Sequence, residues 1–90
     1  MGKIDKLNKD IKKIRTKIDA IEEEMNEAKE DLADKIITKA EFTKFKQKHQ
    51  MKVRDLHSAI GKKEKARVHF EKRIREKEEK KQKKQEERNE

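Results

Sequence analysis

The sequence predicts an all-α chain folded into an antiparallel helical hairpin of the coiled-coil kind, and three observations carry the prediction. Helix breakers are nearly absent: there is no proline, and glycine occurs twice in 90 residues. Through the first third, apolar residues recur at alternating gaps of three and four. One helix-start signal, Thr38-Lys39-Ala40-Glu41, interrupts that pattern, and a second apolar stripe follows it. The rest of the composition closes off the alternatives. With 28 basic and 20 acidic side chains against 29% apolar ones, and with three Phe and no Trp or Tyr, a conventional globular core is out of reach. Such a chain is either long-helical or disordered.

The first helix, expected over residues 3–33, is read from Ile4, Leu7, Ile11, Ile14, Ile18, Ile21, Met25, Ala28 and Leu32. Every a and d position of the heptad is apolar and the positions between are almost all charged, which is the narrow seam of a helix that another helix must cover. A helix lying on a membrane surface would carry a wider stripe with aromatic residues. The pattern breaks over residues 34–38. There the Thr38 hydroxyl is placed to accept from an orphan amide of a new helix, with Glu41 reaching back and Ile37 and Phe42 forming a hydrophobic staple.

The second helix, expected over residues 39–74, has Phe42, Phe45, Val53, Leu56, Ile60, Phe70 and Ile74 on its seam, with His49, Lys63 and Arg67 at the positions between. So short a connection makes two long helices antiparallel neighbours. Matching the stripes sets Leu32 against Phe42, Met25 against His49, Ile21 against Val53, Ile18 against Leu56, Ile14 against Ile60 and Ile4 against Phe70. In this register Glu22 is the acid expected to reach His49. Residues 75–90 contain no apolar side chain and overhang the hairpin as a charged tail, either a solvated helix or disordered. Gly61 reads as a kink or break, as a place where the small side chains of Ser58-Ala59-Ile60-Gly61 admit a close crossing helix or a phosphate, or as a residue without a role.

Charge is arranged in blocks. Residues 1–18 carry a net +5, 19–34 a net −7, 35–54 a net +6, 55–74 a net +3 and 75–90 a net +1. Acids late in one helix and bases early in the next oppose each helix's own dipole, and antiparallel apposition of the two blocks removes that objection. The excess charge of +8 then gathers at the open end of the hairpin. Lys3, Lys6, Lys9, Lys12, Lys13, Arg15 and Lys17 from the first helix meet Lys62, Lys63, Lys65, Arg67, Lys72, Arg73 and Arg75 from the second. A basic patch along a rod end is the electrostatic footprint of phosphate binding. Sequence-specific readout is not expected, because no helix-turn-helix, zinc-finger or basic-zipper spacing occurs and no aromatic platform stacks unpaired bases. The expected ligand is duplex DNA held by its backbone, with RNA as an alternative.

Assembly is expected from the leakier half of the seam. Leu7 and Ile11 face Arg67 and Lys63, so a second chain is the natural cover for Ile4, Leu7, Ile11 and Ile14, giving a homo-oligomeric helical bundle, a dimer or tetramer able to bridge two duplexes. The contrary reading lays the aliphatic stems of Lys63 and Arg67 over those residues and leaves the chain monomeric. His49, His57 and His69 are spaced too widely along a helix to share a metal ion. No nucleophile, base and orienting group form a set, so neither an enzyme nor a cofactor or small-molecule substrate is expected.

The Ile heptads, together with the basic stretch Gly61-Lys62-Lys63-Glu64-Lys65-Ala66-Arg67, give the chain a resemblance to the small, lysine-rich, cysteine-free helical DNA-organising proteins of archaea, methanogens among them. The resemblance implies coating or bridging of double-stranded DNA without base specificity, and no active site. The turn Ile36-Ile37-Thr38-Lys39-Ala40-Glu41-Phe42 is similar to many helical-hairpin turns, including those of integrase coiled-coil arms. Two competing readings are a coiled-coil assembly module whose basic end meets an acidic protein, and a basic RNA-binding arm. No apolar run approaches a membrane span and there is no cysteine, so the expected setting is cytoplasmic and nucleoid-associated.

Overall fold

The computed structural model describes residues 2–89, with side chains through Glu86; Met1 and Glu90, the ends of the expected hairpin and tail, lie outside the described residues. It contains two helices, α1 (Lys3–Ala33) and α2 (Lys39–Asn89), and no strand among the described residues. Their antiparallel packing makes a rod of 79 × 18 × 16 Å. At 1.5 Å per residue α2 alone is about 76 Å long and α1 about 46 Å, so α2 sets the length of the molecule and runs bare for about 22 Å beyond the start of α1. The second helix does not end with the last apolar residue at 74 but continues to Asn89. Residues 75–86 are all exposed. They are mostly Lys, Glu and Gln, good helix formers, and a helix extended from a packed stretch needs no new nucleus.

The turn is built by the backbone. Asp34 caps α1, Lys35 takes a left-handed conformation at φ 60°, and the next amides fold back onto the helix end. The Lys35 N–H donates to the Leu32 carbonyl at 3.1 Å and the Ile36 N–H to the Asp31 carbonyl at 2.8 Å. This pair of bonds is the Schellman motif, usually completed by glycine at the left-handed position. α2 then starts at the capping threonine: the Glu41 N–H donates to Thr38 Oγ1 at 3.2 Å. The Glu41 carboxylate accepts from the same hydroxyl at 3.2 Å rather than from the Thr38 amide. The helix's first backbone bond runs from the Phe42 N–H to the Thr38 carbonyl at 2.9 Å.

The core is one narrow line of side chains. Ile11, Ile18 and Ile60 are buried together, with Ile14, Val53 and Leu56 packed against them, while Ala28 and His49 are buried nearer the turn. Cross-helix hydrogen bonds report the register. Glu24 meets His49, Asp10 meets Lys63 and Asn8 meets Arg67, each within one residue of the pairing that matches the two stripes. The α2 seam is therefore continuous through its polar members, and His49, Lys63 and Arg67 lie in it alongside the apolar residues.

Three expectations are corrected by this packing. Ile11 does not await a partner chain: it is 5% exposed within the hairpin. The side chains of Lys63 and Arg67, only 36% and 34% exposed, lie opposite and end on Asp10 and Asn8, so their stems close the seam. His49 pairs with Glu24 Oε2 at 2.8 Å, not with Glu22. Glu24 precedes the seam residue Met25 on the flank that reaches His49, whereas Glu22 lies on the other flank beside His57 and Gly61. Finally, the acidic block of α1 does not pair with the basic block it faces. Among the described residues, Glu24, hydrogen-bonded to His49, is the one acid of residues 19–34 that meets a basic side chain of α2.

Gly61 lies inside the uninterrupted α2, so it does not break the helix. A Cβ built there meets nothing within 4 Å, so packing within the hairpin does not require the glycine.

Candidate nucleic-acid interface

The basic residues singled out from the sequence separate into two groups in the structure. Four are engaged in holding the hairpin. Arg15 Nη2 donates to Glu64 Oε1 at 3.3 Å, Lys63 Nζ to Asp10 Oδ2 at 3.3 Å and Arg67 Nη1 to Asn8 Oδ1 at 2.9 Å. Lys3 Nζ stands 5.0 Å from the centre of the Phe70 ring, a cation–π contact that closes the open end. The other ten, Lys6, Lys9, Lys12, Lys13, Lys17, Lys62, Lys65, Lys72, Arg73 and Arg75, are exposed, and none is in an ion pair among the described residues. They are the cations available to an outside ligand. Helix geometry gives them their placement: Lys6, Lys9 and Lys13 recur at gaps of three and four on the α1 face turned away from α2, while Lys62, Lys65 and Lys72, at gaps of three and seven, share the α2 face turned away from α1.

The two flanks of the rod differ. On one, Arg15 is consumed by Glu64 and Arg67 approaches Glu71 at 4.0 Å, with Asp19 and Glu22 nearby. On the other, Lys17, Lys52 and Asp55 line a shallow groove with Ala20, Ile21 and Leu56. Nearer the open end Lys3, Arg73 and Lys77 surround Ile4, Phe70 and Ile74.

The structure adds residues that the sequence reading passed over. The α2 seam runs Phe70, Ile74, and then at the same gaps Lys77, Lys81 and Lys84. Beyond the start of α1 no helix covers this face, and all three lysines are exposed. Lys80 lies beside them, one turn on from Lys77 and two from Arg73. The signal was present in the heptad spacing. It was hidden because a seam is normally followed through its apolar residues. Lys62, Lys65 and Lys72 lie on the face of α2 turned away from α1 and Lys77, Lys81 and Lys84 on the continuation of its seam, with Arg73 and Lys80 on the flank between them; together they extend over about 33 Å at 1.5 Å per residue, close to one turn of duplex DNA at about 34 Å.

Searches against known families, curated proteins and solved structures gave no significant match. The resemblance to archaeal DNA-organising proteins therefore stands on composition and pattern alone. Among the described residues, no group of three His, Cys, Asp or Glu converges as a metal site, and no helix is long and apolar enough to cross a membrane.

Proposed function

We propose that this protein binds the phosphate backbone of double-stranded DNA without sequence preference, using the open half of the hairpin and the bare continuation of α2. One observation carries the reading: the charges of residues 19–54, around the turn, nearly cancel at −1, whereas residues 1–18 and 55–74 of the open half sum to +8 on exposed helical faces, and α2 carries the basic surface on to Lys84. Lysine, a strongly hydrated point charge on a flexible stem, neutralises phosphate without the fork geometry that reads base edges. The remaining aromatic rings do not offer a stacking platform. Phe45 is stacked on His49 with centroids 3.8 Å apart, and Phe70 lies under Lys3.

The test is binding to unrelated duplexes across a salt series. Affinities for different sequences should agree within a few-fold. With six to ten phosphate contacts, affinity should fall by roughly three to five decades between about 50 and 200 mM salt. Reversing Lys62, Lys65, Lys72 and Arg73 to Glu touches no hairpin contact and should abolish binding with the helical circular dichroism signal unchanged. Undiminished affinity in that variant, or no affinity for any duplex near 150 mM salt, refutes the reading.

A further inference from the structure

The outward face of α1 is divided into two oppositely charged halves. Its N-terminal half presents Lys6, Lys9, Lys12 and Lys13, with Asp5 as the lone acid at the tip; its C-terminal half presents Asp19, Glu23, Glu27 and Glu30. All are exposed, and none is in an ion pair among the described residues. The hairpin's own register thus leaves both halves unsatisfied, although α2 presents a basic block opposite the acidic one. Between them, Thr16 and Ala20 are the smallest side chains on this face. The Thr16 hydroxyl is already donated to the Lys12 carbonyl at 3.0 Å, so close approach strands no polar group there.

We infer that this face docks a second copy of the chain, with the two α1 helices antiparallel about a two-fold axis beside residue 18. That operation places Lys6 opposite Glu30, Lys9 opposite Glu27 and Lys13 opposite Glu23, each pair occurring twice, with Lys17 near Asp19. The interface is self-complementary, as a two-fold axis requires, and the parallel arrangement sets like charge against like. The occupant follows from the charge match. An apolar rival surface is lacking: the exposed large apolar residues, Ile36, Met51, Val68 and Ile74, are scattered from the turn to the open end rather than gathered in one patch. The contact is made of exposed ion pairs, each individually weak, so it is dilute-labile and governed by salt. It is distinct from the seam residues Ile4, Leu7, Ile11 and Ile14, which serve the hairpin itself. It also leaves Lys62, Lys65, Lys72 and Arg73 of both copies facing outward, so a dimer of this form holds two phosphate-binding faces apart.

The decisive experiment is sedimentation of the full chain at high micromolar concentration. In about 50 mM salt the mass should be double that in about 500 mM salt, where the screening length is only several ångströms. Glu23→Lys, Glu27→Lys and Glu30→Lys together should give a monomer at low salt, and so should Lys6→Glu, Lys9→Glu and Lys13→Glu. An equimolar mixture of the two variants should recover the doubled mass as a heterodimer. A monomer at low salt in the unaltered chain overturns the proposal, as does a dimer indifferent to salt or to these variants, or a mixture that stays monomeric. The acid-to-lysine variant keeps every proposed phosphate contact, so its duplex binding reads the DNA proposal separately.

Discussion

Two residues carry conformations that their side chains do not suit. Lys35 holds the left-handed position of the Schellman motif, where a side chain with a Cβ crowds the following carbonyl and glycine is the usual occupant. Gly61 lies in the middle of α2, where it contributes unfolded-state freedom and no contact, because a methyl group there would meet nothing within 4 Å. The chain has its glycine in the helix and its lysine in the turn. Lys35→Gly should stabilise the fold by about 1 kcal/mol through relief of that crowding, and Gly61→Ala by about the same through helix propensity. Each should raise the thermal midpoint followed by circular dichroism by roughly 4–8 °C. The sites lie about 40 Å apart along the rod, so the double variant should show the sum of the two shifts within error. A fall in midpoint for Gly61→Ala would mean that the glycine relieves a strain not visible in its open surroundings.

At the scale of the elements, the sequence discloses the helices better than their details. The start of α2 is legible because Thr38 places a side-chain oxygen where a backbone amide lacks a partner, with Glu41 three residues on, and the end of α1 because its apolar rhythm stops at Leu32. The Schellman turn is not legible, since the residue that usually announces it is absent and Lys35 gives no local sign. The length of α2 is only half legible: a stretch of Lys, Glu and Gln reads equally as solvated helix or as coil until the packed helix before it supplies the nucleus. The candidate interface divides in the same manner. Exposed lysines are visible as charge, but whether a given cation is free depends on a partner across the hairpin. By sequence alone Arg15, Lys63 and Arg67 look as free as the rest, because the neighbours that occupy them, Glu64, Asp10 and Asn8, emerge only with the register. His49 shows how fine that dependence is. Glu22 and Glu24 are two residues apart yet lie on opposite flanks, and only one of them faces the imidazole.

For the whole molecule, the step where α1 begins and α2 runs on is the consequential feature. Within the hairpin the seam of α2 is spent on packing. Past the step the same seam positions, Lys77, Lys81 and Lys84, are bare, so one helix carries a stabilising stripe along most of its length and a cationic stripe beyond it. Of the tail's described acids, Glu79 and Glu86 fall on the side of the helix away from the seam positions, while Glu76 lies one turn before Lys80 and Glu78 flanks Lys81. Converting Lys77, Lys80, Lys81 and Lys84 to Gln retains good helix formers and removes no contact of the hairpin core. The thermal midpoint should therefore stay within about 2 °C of the parent, because exposed substitutions away from packing sites shift stability by about 0.5 kcal/mol or less. Duplex binding should respond quite differently. If each of the four lysines neutralises one phosphate, the slope of log affinity against log salt becomes shallower by about 0.9 per residue, up to about 3.6 in all. An unchanged slope would confine the interface to the hairpin and reduce the continuation of α2 to a solvated extension. A shallower slope with an unchanged midpoint would separate the two uses of the seam within a single helix.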